Sequence, residues 1–66
     1  MMRLTIERRK LGWSKAELAR QCGANATSIG RIESKKEPPF PLRAQRIAAA
    51  LGWKGDPMEL FEDAEV

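Results

Sequence analysis

The apolar positions fall at helical intervals along the whole chain, separated by short polar or glycine-bearing breaks. Leu4 and Leu11 lie seven apart on one face of a first helix over residues 3–11, which Gly12 can end in the left-handed conformation. In "WSKAEL", Ser14 caps a second helix and Glu17 closes a capping box. Trp13 before the cap and Leu18 inside the helix form a hydrophobic staple. Gly23 stops this helix after Cys22, and Asn25 caps a third that runs to about Ser34 with Ile29 and Ile32 facing inward. "KKEPPFP" is then a stiff connection. A fourth helix over 42–51 turns Leu42, Ile47, Ala48 and Leu51 inward and ends at Gly52. A fifth starts in "GDPMELF", with Asp56 as cap, Pro57 at its first position and Glu59 closing a box. Alternating β-branched runs and hairpin dipeptides are absent, so the expected class is all-α with five helices. Residues 1–62 form one domain and 63–66 a frayed acidic end.

The third helix is thinly furnished. Outside Ile29 and Ile32, its residues are small or polar apart from Arg31. A three-residue turn beginning with Gly23 joins it to the second helix, which is the plan of a helix-turn-helix spanning 15–34. Within that unit Ala19 is small where the helices cross, and Leu18, Ile29 and Ile32 pin the pair to the rest of the core.

Charge sharpens this reading. All twelve Lys and Arg and four acids lie in residues 1–54, a net +8, whereas the last twelve residues hold five acids and no base. A body so charged suits a polyanion. Sixty-six residues, 42% of them hydrophobic, make one small core of marginal stability. The single cysteine, Cys22, reads as a buried hydrophobe and points to a reducing compartment. No apolar run is long enough to span a bilayer and no signal peptide is visible, so a cytoplasmic setting is expected.

"SKAELARQCGANATSIGRIESKK" resembles the Cro/C1-type (xenobiotic-response-element type) helix-turn-helix family of small phage-repressor-like regulators. That family's pattern is Ser-Gln-x-Glu-Leu-Ala, a glycine, a cap, the recognition helix, then Glu and Gly-Lys. The likeness extends from Arg8 through "IAAALGW" and "DPMELF". It departs at two places: Lys15 stands where Gln is usual, and Lys35 where Gly is usual.

The resemblance implies a compact lambda-repressor-like domain and places Ala26, Thr27 and Arg31 at base edges. Arg31 suits guanine, whose O6 and N7 a guanidinium can bond together. Thr27 offers a weak hydrogen bond or a methyl contact and Ala26 an apolar contact only. Lys15, Asn25, Ser28, Lys35 and Lys36 are the expected contacts to the DNA backbone. Gly30 would let the helix sit deeper in a groove. The resemblance further implies an ion pair between Arg8 and Glu33. Arg43 and Arg46 read as solvated charges of the fourth helix, and the tryptophans, Phe40 and Phe61 as core. Trp53, Met58, Leu60 and Phe61 are candidates for a dimer seam.

The function expected is sequence-specific binding of a double-stranded DNA operator, most simply by a repressor pairing at a near-palindromic site as a weak homodimer, formed in solution or only on DNA. The competing reading is a protein-interaction module on the same scaffold, an antitoxin or coactivator-like bridge. No cofactor, metal, membrane or small-molecule effector is expected. An enzyme is excluded by the lack of His and Tyr, the core position of the thiol and the scatter of the carboxylates.

Overall fold

Backbone punctuation sets the architecture. In a computed structural model, which describes residues 1–64, four α-helices follow one another: α1 (Arg3–Lys10), α2 (Lys15–Cys22), α3 (Ala26–Glu33) and α4 (Pro41–Leu51). The expected fifth helix is a single 3-10 helix, Pro57–Phe61. Its cap is as the sequence predicts: Asp56 Oδ1 accepts from the Met58 N–H at 3.0 Å, and Glu59 Oε1 accepts from the Asp56 N–H at 3.1 Å. Pro57 supplies the fixed φ of a first helical residue, but five residues complete less than two turns. No strand forms among the described residues; Met2 and Asp63 make one isolated antiparallel bridge.

Ser14 Oγ accepts from the Glu17 N–H at 3.0 Å and so starts α2. The reciprocal half of the capping box does not form. Glu17 instead accepts from Arg20 and Gln21 on its own helix, and these bonds, Gln21 first, hold its carboxyl below the usual carboxylate range. Gly23 ends α2 at φ 76°, a left-handed conformation that costs glycine little. Two residues on, Asn25 Oδ1 accepts from the Ser28 N–H at 2.8 Å and starts α3. Gly52 ends α4 in the same left-handed manner.

Leu4, Leu18, Ile29, Ile32, Ile47 and Leu60 are fully buried, one or two from each element, and Trp13, Trp53 and Phe61 pack around them. α2 packs on both α3 and α4, while the 3-10 helix closes the core against α1 and α4. Three apolar residues expected inside lie outside. Leu11 falls after the last turn of α1 and is exposed; Thr5 and Arg8 take the inward positions of that helix. Leu42 sits on the outer side of α4's first turn, where Ala44 faces in. Phe40, at 64% exposure, is the extended residue before Pro41 and points to solvent. Proline disfavours helical backbone at the residue before it, which leaves that side chain outside the packed helix.

The end of the described chain is also tied down. Arg3 N–H donates to the Glu62 carbonyl at 2.9 Å and Ala64 N–H to the Met1 carbonyl at 2.8 Å. Asp63 and Ala64, expected to be frayed, are thus held beside the N-terminus; Glu65 and Val66 lie outside the described residues.

Candidate nucleic-acid interface

Burial of Ile29 and Ile32 fixes the roll of α3 and leaves its opposite side open. Ala26, Thr27 and Arg31 are all exposed, with Thr27 and Arg31 one helical turn apart. Ser34 closes this strip, its hydroxyl donating to the Gly30 carbonyl at 2.9 Å. Gly30 lies between. A Cβ built there would come no nearer than 3.9 Å to any neighbour, that neighbour being Lys15 Cδ, so packing within the protein does not demand glycine. The same distance places the stem of Lys15, the first residue of α2, alongside the open side of α3. Asn25 is exposed with its carbonyl oxygen committed to the helix cap.

The angle of α3 on the scaffold is set by a buried charge. Arg8 Nε and Nη2 donate to the two carboxylate oxygens of Glu33 at 2.9 and 3.1 Å, and the two side chains are only 8% and 7% exposed. Thr5 Oγ1 donates to the same carboxylate at 3.0 Å, and Arg8 Nη1 to the Trp13 carbonyl at 2.8 Å. Every buried side-chain polar atom among the described residues has a partner. One arginine therefore joins α1, the residue leading into α2 and the last turn of α3.

The two lysines after α3 differ. Lys35 takes φ 63°, the conformation a glycine would supply, with its N–H donating to the Ile32 carbonyl at 3.1 Å. Its side chain is engaged: Nζ lies 2.8 Å from Asp63 Oδ2, and this bond holds the Asp63 carboxyl below its ordinary range. Lys36 is exposed, with no acidic partner within ion-pairing distance among the described residues.

Ser28 is half-buried and borders an open groove of about 480 Å³ shared with Glu37, Phe40, Leu42, Arg43 and Arg46. The two arginines, read from sequence as solvated, are thereby brought beside the start of α3. Arg43 also faces Glu37 at 3.4 Å. The sequence signal for them was their spacing of three on the first turns of α4, ambiguous until the fold set α4 next to Ser28. Of the proposed dimer seam, Leu60 is fully buried and Trp53 lies under the Arg3 guanidinium at 5.9 Å. Met58 remains exposed, sharing a groove with Pro41.

Among the described residues no group of Cys, Asp and Glu is placed to hold a metal ion, and no helix is long and apolar enough to cross a membrane.

Two short helices joined by a glycine turn, the second lying with one face in the core and one in solvent, define a helix-turn-helix domain. The comparison with protein families agrees: residues 2–61 match the helix-turn-helix domain family, and the chain belongs to it. This is a non-enzymatic, DNA-binding kind of domain. A curated protein from Neisseria meningitidis serogroup B (strain ATCC BAA-335 / MC58), described as a Neisseria hypothetical transcription factor, is 44% identical over 41 residues. That match covers 62% of the present chain and 39% of the relative, so the chain spans well under half of the relative's length. No solved structure matches significantly.

Proposed function

We propose that this chain is a sequence-specific binder of double-stranded DNA and a transcriptional regulator, with α3 entering the major groove in the lambda-repressor-like manner. The observation that carries the reading is the exposed Ala26–Thr27–Arg31 strip on a helix whose angle is locked by Arg8 and Glu33. A reader needs both parts: free side chains at the base edges and a scaffold that does not yield. Arg31 makes the strongest base contact, and Thr27 and Ala26 make slighter ones, so sequence-dependent groove shape carries part of the discrimination. Lys15, Asn25, Ser28 and Lys36 hold the phosphates, joined by Arg43 and Arg46.

The mode of action proposed is that of a small cytoplasmic repressor acting as a weak homodimer on a near-palindromic operator, with half-sites about one helical turn, ~34–36 Å, apart. Phe40, Leu42 and Met58 are available for pairing, among exposed apolar residues that also include Met1 and Leu11. The role requires no cofactor and no small-molecule effector. Selection of duplexes from a random library, repeated at two salt concentrations, tests it. Enrichment of a two-fold symmetric site, bound more weakly as salt rises, is expected, because bound phosphates shed their condensed counterions. Binding of the best duplex that is indifferent to salt overturns the reading.

The same exposed apolar residues favour a second reading, a protein-interaction module of antitoxin or bridging type. A stoichiometric protein partner together with no selection of DNA is its expected signature.

A further inference from the structure

We infer that the acidic segment after the 3-10 helix is a built-in competitor for the DNA backbone, with the Asp63 carboxylate occupying the place on Lys35 that a phosphate takes when DNA binds. The inference rests on the DNA-binding reading and goes beyond it, because it makes part of the chain oppose its own ligand.

Three observations converge on this contact. First, the Lys35 Nζ–Asp63 Oδ2 distance of 2.8 Å joins residues 28 apart in sequence, one immediately beyond α3 and one beyond the last turn of the fold. Second, Asp63 is delivered there by the main chain. Its bridge to Met2, the Arg3–Glu62 bond and the Ala64–Met1 bond hold the segment against the start of α1, whatever its side chains do. Third, both partners are open to solvent, Lys35 at 60% and Asp63 at 64% of the side chain. Such a pair is worth little on its own, so exchanging the carboxylate for another oxyanion needs no rearrangement of the core.

Lys35 does not sit there by backbone preference. Its left-handed conformation disfavours a side chain with a Cβ, and it lies next to Ser34 and Lys36 at the edge of the exposed strip. A cation presented so close to the reading face, and already holding an oxyanion, lowers the attraction of the domain for DNA at large. Exchange takes place when the rest of the interface positions a phosphate well enough to displace Asp63. Indiscriminate binding is then penalised more than binding at a well-fitted site.

The test uses the full chain and a labelled mixed-sequence duplex of 20 base pairs, titrated across a salt series. Asp63→Asn is compared with Glu62→Gln, which removes the same charge from the same segment without touching Lys35. Expected is a severalfold tighter complex for Asp63→Asn, with the logarithmic salt slope steeper by about 0.9, one added phosphate contact. Glu62→Gln should change neither. Lys35→Gln should cost several times more affinity in the Asp63→Asn background than in the original chain. Equal behaviour of Asp63→Asn and Glu62→Gln, or additive effects of the Asp63 and Lys35 substitutions, overturns the inference.

A second measurement needs no substitution. The Asp63 carboxyl, followed by NMR, should titrate at higher pH in the presence of saturating duplex, by more than Glu62 does; equal displacement of the two overturns the inference. If the original chain shows salt-independent binding or none, the DNA-binding reading itself fails. Steep salt dependence with no distinction between the two variants removes the competitor alone.

Discussion

Arg8 and Glu33 meet through two hydrogen bonds, at 2.9 and 3.1 Å, at a point where both side chains are more than nine-tenths buried. The pair joins the first helix to the last turn of the third. Its net worth against a hydrophobic pair is small, but each partner alone is a buried, uncompensated charge. Arg8→Ala or Glu33→Ala should therefore cost about 3–5 kcal/mol, much of what a domain of this size has. Urea unfolding followed by circular dichroism measures it. Replacing both with methionine should recover most of the loss while loosening α3, seen as weaker DNA selectivity at restored stability.

Gly30 sets stability against function. Alanine in a helix interior is favoured over glycine by about 1 kcal/mol, and the nearest atom to an added Cβ is 3.9 Å away. Gly30→Ala should thus raise the unfolding midpoint and, because the methyl stands on the open strip, weaken binding to the selected site. Stabilisation with unchanged affinity would leave the glycine without a role in the groove.

Lys35 holds a left-handed conformation at φ 63°. Non-glycine residues pay about 1–2 kcal/mol for that region, and the solvent-exposed ion pair to Asp63 offsets little of it. Lys35→Gly should be neutral to stabilising by about 1 kcal/mol, whereas Lys35→Val, β-branched, should destabilise. Thermal melts of the two variants separate these outcomes.

Arg31 and Lys36 separate reading from holding. Arg31→Ala should cost about 1–3 kcal/mol at the selected site and relax preference at one base pair per half-site. Lys36→Gln should weaken all duplexes alike and reduce the salt slope by about 0.9. Competition between the selected duplex and a scrambled one distinguishes the two patterns.

Cys22 is 8% exposed, and burial pushes its thiol pKa upward. The folded form thus favours the neutral thiol. Its contribution to stability is complete below the unfolded thiol's pKa, about 8.5, and is lost as pH rises through the higher folded value. Alkylation by iodoacetamide at pH 8 should be slow and should quicken in urea in step with unfolding.

The turn-forming residues were the most legible part of the sequence. Ser14, Gly23, Asn25, Gly52 and Asp56 act within a few residues of themselves, so a short window suffices to place the helices. Their chemistry also located the helix-turn-helix, and two isoleucines three apart were enough to orient α3. Leu11, Phe40 and Leu42 lie outside the core against their apolar pattern for a common reason. Each sits at or just past a helix end, where periodicity no longer says which side faces in. α1 illustrates the limit: its inward face is partly polar, since Thr5 and Arg8 are satisfied by Glu33 from 25 residues or more away. The tie from Lys35 to Asp63 depends on the finished fold bringing both termini together, and no local pattern announces it.

The hydrogen bond from Ala64 to Met1 makes the two ends of the described chain next-door neighbours. A linker fused at either position would leave from the same corner of the molecule, the one beside Lys35. The domain could accordingly be spliced as a cassette into a surface loop of a host protein without prising α1 from the 3-10 helix, and a bulky fusion partner at either end would crowd one and the same flank of the reading surface.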